Sequence, residues 1–142
     1  MTFLKILLYA AGIFSVLLGI LHFTFPARFG FMTALSADGE PVPPYRLLFY
    51  RYQMKRSDLR GIIYVMNHCV SYAIVAAGVF DLFAASWLGT HPGALTAGTA
   101  AGFWFLRAGT QFHLGRRPGD WLVVIWFGLL SAVHIVAAIA SV

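Results

Sequence analysis

Four long apolar stretches govern what this chain can become: Phe3 to Phe25, Gly61 to Leu88, Ala94 to Leu114 and Trp121 to Val142. Each runs about 20 residues or longer, and a helix rising ~1.5 Å per residue then crosses a ~30 Å hydrocarbon layer. A helix satisfies its own backbone in lipid, where no water can. The expected fold is all-α: an integral membrane four-helix antiparallel bundle, a single domain over residues 1–142 with one long loop at 26–60. Composition agrees, with 60% hydrophobic and 11% charged residues and a mean hydropathy of +0.78, against roughly 25% charged in soluble domains. The first stretch exceeds the ~7–15-residue core of a signal peptide, and no A-x-A site precedes Pro26. It reads as a retained helix.

The formal charge of +5 does not mark a nucleic-acid binder, because the basic residues sit beside the apolar stretches. Residues 26–60 hold Arg28, Arg46, Arg51, Lys55, Arg56 and Arg60 against Asp38, Glu40 and Asp58. The connection "GTHPG" has no Lys or Arg, and "GRRPGD" has Arg116 and Arg117. The first and third connections share a side and hold eight of the ten basic residues, leaving Lys5 opposite. The positive-inside bias places those connections in the cytoplasm and both termini outside, in what reads as a bacterial cytoplasmic membrane. "SADGEPVPP" (Ser36 to Pro44) is turn-rich. "YRLLFYRYQMKRSDLR" (Tyr45 to Arg60) interleaves apolar and basic residues, and is expected to form an amphipathic interfacial helix running into the second span.

Polar residues inside the stretches are costly in lipid and belong on interior faces. Gly12, Ser15, Gly19 and His22 share one helical face. Asn67, Ser71, Gly78 and Asp81 form another, with His68 and Tyr64 beside it; Gly102, Gly109 and His113 align, next to Arg107 and Gln111; Ser131 and His134 align in the last stretch. Counted from the cytoplasmic ends at ~1.5 Å per residue, His22 and His113 lie roughly 3–5 Å deep, His68 roughly 10 Å and Arg107 roughly 12 Å. The expected inner cluster is therefore His22, Asn67, His68, Arg107, Gln111 and His113, with Asp81 and His134 as an outer pair. The structural alternatives are plain: interfacial histidines making ordinary hydrogen bonds, and Arg107 snorkelling to headgroups. The one cysteine, Cys69, lies mid-stretch, allows no internal disulfide and reads as structural.

Four chemistries suit the inner cluster. Haem b would take two imidazoles axially, His22 and His113 or alternatively His68, with Arg28, Arg116 and Arg117 for its propionates. The arrangement is loosely similar to haem-bearing membrane anchors of respiratory enzymes. A transition metal would use His22, His68 and His113. A quinone or lipid would be held by Arg107, Asn67, Gln111 and a histidine. Finally, "RSDLRGIIYVMNHCVSYAI", and Arg107 in "FLRAGTQFHLG", resemble the MAPEG family of membrane-bound glutathione and eicosanoid enzymes, although no acid follows Asn67 where that family has R-x-x-x-N-x-x-E. That resemblance implies a membrane glutathione enzyme. A non-enzymatic reading stands beside these: the stripes glue the chain to a membrane-protein partner or to a second copy of itself, as an accessory or assembly subunit.

Overall fold

Proline and glycine cut the apolar sequence into helices. The computed structural model describes residues 1–38, 41–114 and 119–142. Helix α1 (Thr2–Phe23) carries only Lys5 as a formal charge and stops just ahead of Pro26. Proline has no N–H to continue a helix but is tolerated in a first turn, and Pro26 accordingly opens the one-turn helix α2 (Phe25–Arg28). Gly30, left-handed at φ 57°, redirects the chain into α3 (Phe31–Ala34).

The interfacial helix expected over Tyr45 to Arg60 is corrected by the structure. Strands β1 (Tyr45–Leu47) and β2 (Tyr50–Tyr52) form an antiparallel hairpin, with Tyr45 opposite Tyr52, Arg46 opposite Arg51 and Leu47 opposite Tyr50. Pro43 and Pro44 force extended backbone just upstream, and the alternation Tyr-Arg-Leu and Tyr-Arg-Tyr has the period of a strand. Leu48, in the two-residue loop, takes a left-handed φ of 52°. Helix begins only at Arg56, where the Asp58 carboxylate accepts the Lys55 N–H at 3.1 Å.

Helix α4 (Arg56–Leu82) is followed by the single turn α5 (Ala84–Trp87), so the second stretch stops short of the expected Leu88. Gly89, at φ 89°, turns the chain. Thr90 then caps α6 (His91–Thr110), its Oγ1 accepting the Gly93 N–H at 3.1 Å. A 3₁₀ turn (Gln111–Leu114) ends that stretch, and α7 (Asp120–Ile139) completes the chain.

Among the described residues the chain is helical apart from the hairpin and connections, and α1, α4 and α7 are long and apolar enough to cross a membrane. Helix α6, with its glycines, alanines, threonines and Arg107, falls outside that set. Beside an apolar core, burial departs from that of a soluble protein in two ways. Ser15, Asn67, Ser71, Asp81, Gln111, Ser131 and His134 are buried, whereas Ile13, Leu17, Val65, Met66, Leu122 and Ile125 are exposed. Buried polar groups and large exposed apolar side chains on long helices are consistent with a membrane protein.

The chain divides into two compact units, residues 1–14 with 77–142, and residues 15–76. In the first, Leu8, Ala84, Trp87, Ala97 and Ala137 form the core, and Trp87 Nε1 donates to the Phe80 carbonyl at 2.8 Å. Helices α6 and α7 pack together there, with Ser131 Oγ donating to the Ala101 carbonyl at 2.9 Å and Trp104 stacked on Phe127 at 5.3 Å. In the second, α1 lies close against α4. A Cβ on Gly19 would stand 2.9 Å from the Val75 nitrogen and 3.0 Å from the Ser71 carbonyl oxygen.

Candidate functional site

Asp81, in the last turn of α4, and His134, on α7, are both completely buried and face one another. His134 Nε2 lies 3.0 and 3.1 Å from the two carboxyl oxygens of Asp81, and its Nδ1 lies 2.7 Å from the Leu130 carbonyl. The tautomer follows from those partners. A carbonyl oxygen only accepts, so Nδ1 carries a proton and donates to Leu130. Nε2 then either donates to a carboxylate or accepts from a carboxylic acid. Both arrangements place one proton between the residues and leave the pair neutral overall, which is how two ionisable groups persist in an apolar surround. Gly12 makes room for the pair, since a Cβ there would stand 3.0 Å from Asp81 Cβ and 2.8 Å from the Gly78 carbonyl oxygen.

A second polar network ties α1 to α4 in the other unit. Ser71 Oγ donates its one proton to the Asn67 carbonyl at 2.6 Å, so it accepts from His22 Nδ1–H at 3.0 Å. Asn67 Nδ2 donates to the His22 carbonyl at 3.1 Å. His22 is therefore clamped through ring and backbone by residues one helical turn apart on α4. Asn67→Ala is expected to remove one of these two links at a cost of about 0.6–1.7 kcal/mol, read as a lower midpoint in detergent-induced unfolding; His22→Phe in the same background adds less than it does alone, because the two changes share a network.

A third chain runs from α6 to the start of α7. Arg107 Nη1 donates to Gln111 Oε1 at 2.8 Å, and Gln111 Nε2 donates to Asp120 Oδ1 at 3.0 Å. The Arg107 guanidinium lies 4.9 Å over the Phe127 ring, a cation–π contact. Gln111 is buried and links the Arg107 guanidinium to the Asp120 carboxylate.

The remaining candidates stand apart from these networks. His68 Nδ1 bonds the Tyr64 carbonyl at 2.9 Å, and its ring stacks on Tyr64 at 4.5 Å and meets Phe23 edge-on at 5.7 Å. His113 is exposed in the 3₁₀ turn, and Cys69 is exposed on α4. Arg28 is exposed, while Arg116 and Arg117 lie outside the described residues. Among the described residues, no three His, Cys, Asp or Glu side chains come together as a metal-holding group, so the His22, His68 and His113 set gains no support as ligands.

Two features escape sequence reasoning. Asp120 joins Arg107 and Gln111 across a connection, and nothing in its local sequence signals that. Trp104 Nε1 and Ser15 Oγ are buried and, among the described residues, have no hydrogen-bond partner. Comparison with known proteins finds no matching family model, no matching curated protein and no matching solved structure. The likeness to MAPEG enzymes therefore rests on the residues quoted for it alone.

Proposed function

We propose that the protein is a four-span antiparallel bundle of the cytoplasmic membrane, with both termini outside, serving as a non-catalytic subunit that packs against other membrane helices. The observation that carries this reading is the closure of its polar networks. His22, Asn67 and Ser71 satisfy one another, as do Asp81 and His134, and as do Arg107, Gln111 and Asp120. Groups spent on holding helices together are not poised for a substrate. Helix α6 meanwhile presents Gly98 and Gly102, four residues apart, and a Cβ at either would meet nothing within 4 Å. They line an open groove of about 340 Å³ with Ala101, Phe105, Ser131 and Ile135. Small residues at that spacing let a second helix approach closely in lipid.

The test is the size of the particle extracted in mild detergent. Wild type is expected to migrate as an assembly larger than one protomer, and Gly98→Leu with Gly102→Leu to shift it to a single protomer with an unchanged melting temperature. A wild-type protein that stays a lone protomer in native membranes, shown by crosslinking, would overturn the reading.

A ligand-binding alternative is favoured by Arg107, a half-buried cation whose hydrogen-bond acceptor is a neutral amide and which suits a carbonyl or an anionic headgroup. The absorption spectrum and lipid extract of the purified protein decide it. A Soret band lost in His22→Ala or His113→Ala would point to haem b, and a quinone lost in Arg107→Gln would point to an organic ligand.

A further inference from the structure

Met32 of the short helix α3 and Ser57, Arg60, Gly61, Tyr64 and Val65 in the first turns of α4 line an open groove of about 490 Å³. We propose that it is a binding site for the headgroup of an anionic phospholipid. The site has two chemically distinct walls. Arg60 supplies a cation and Ser57 a hydroxyl, while Met32 and Val65 supply apolar surface that is exposed. One donor of Arg60, Nη1, reaches the Met32 carbonyl at 3.2 Å, which orients the guanidinium and ties α4 to α3 along the groove. A guanidinium carries five N–H donors in a fixed fork, and among the described residues Arg60 forms no ion pair with a carboxylate.

Position along α4 argues for lipid as the source of the anion. The charged run Lys55, Arg56, Asp58 and Arg60 ends where the apolar run from Gly61 begins, so the groove straddles the change from polar to apolar helix surface. Around it Leu59, Ile62 and Met66 are exposed. A phosphate placed against Arg60 would have its glycerol beside Tyr64 and its acyl chains along Val65 and Met66. Gly61 leaves the floor open, since a Cβ there would meet nothing within 4 Å. The surplus of basic over acidic residues in this segment complements a negative headgroup. The inference rests on the membrane reading above only in assigning the leaflet; occupancy in detergent is independent of it and of any oligomer.

The experiment is native mass spectrometry of the full chain in detergent, titrated with phosphatidylglycerol, phosphatidylcholine or inorganic phosphate. Phosphatidylglycerol is expected to bind about tenfold or more tightly than phosphatidylcholine. Arg60→Gln should erase that preference, and Gly61→Leu should reduce binding of either lipid by filling the floor. Equal affinity for both lipids, or a preference unaltered in both variants, overturns the proposal. Inorganic phosphate displacing the lipid at equal concentration overturns the lipid assignment in favour of a free phosphate site. Should Arg60→Gln not fold, Gly61→Leu decides, because its added side chain enters open space.

Discussion

His134→Ala is expected to lower the stability of the detergent-solubilised protein by about 3–5 kcal/mol, because it strands the Asp81 carboxyl in an apolar interior. His134 is the hydrogen-bond partner of both Asp81 oxygens, and both side chains are fully buried. Asp81→Ala should cost a similar amount for the mirror reason. The two losses are not additive. Asp81→Leu combined with His134→Leu removes both polar groups together, and most of the lost stability should return. Asp81→Asn keeps an N–H that donates to Nε2, so its cost should be much the smaller. Unfolding by denaturing detergent, followed by circular dichroism, measures all four. Wild-type stability in His134→Ala would show that the pair contributes nothing to holding α4 and α7 together.

The second large effect is expected at Gly19. Its replacement by Leu puts a Cβ 2.6 Å from Val75 Cγ2, 2.9 Å from the Val75 nitrogen and 3.0 Å from the Ser71 carbonyl oxygen. The last two are backbone atoms within a long helix and cannot swing aside. Helix α1 must retreat from α4, and the hydrogen bonds from His22 and Asn67 across that contact lengthen with it. Overpacking of this kind costs about 1–3 kcal/mol, with the lost hydrogen bonds in addition. Gly128→Ala is the comparison, since a Cβ there meets nothing within 4 Å. It should be neutral or stabilising by up to about 1 kcal/mol through helix propensity. Equal melting temperatures for Gly19→Leu and wild type would mean that α1 and α4 are not in close contact.

The helices were legible from apolar length, because a stretch of twenty such residues has few other fates. Asp81 and His134 stood out as costly intrusions. Their contact did not, since it joins residues 53 apart in sequence and depends on helix rotation that periodicity only brackets. The segment from Tyr45 forms a hairpin where a helix is expected, for a definable reason. Basic residues interleaved with apolar ones suit an amphipathic helix lying on lipid by composition, but the two-residue alternation of Tyr45–Leu47 and Tyr50–Tyr52 and the prolines at 43 and 44 favour extended backbone. Depth along each helix grouped His22, His68 and His113. Rotation decides what a ring actually meets: His22 turns to Ser71, and His68 lies back on Tyr64 of its own helix. The sequence places Gln111 beside Arg107, but its bond to Asp120 spans a connection whose path no local pattern encodes.

Leu48 gives the hairpin an environmental dependence. A left-handed backbone at leucine costs about 1–2 kcal/mol, and the next residue, Phe49, is 98% exposed while Leu48 is 86% exposed. Water offers that apex no return for the strain. Sinking both side chains into acyl chains recovers roughly 1.5–3 kcal/mol apiece, which outweighs the backbone penalty. The ribbon is therefore expected to relax to coil when excised into buffer and to regain its shape against a lipid surface, a difference that circular dichroism reads.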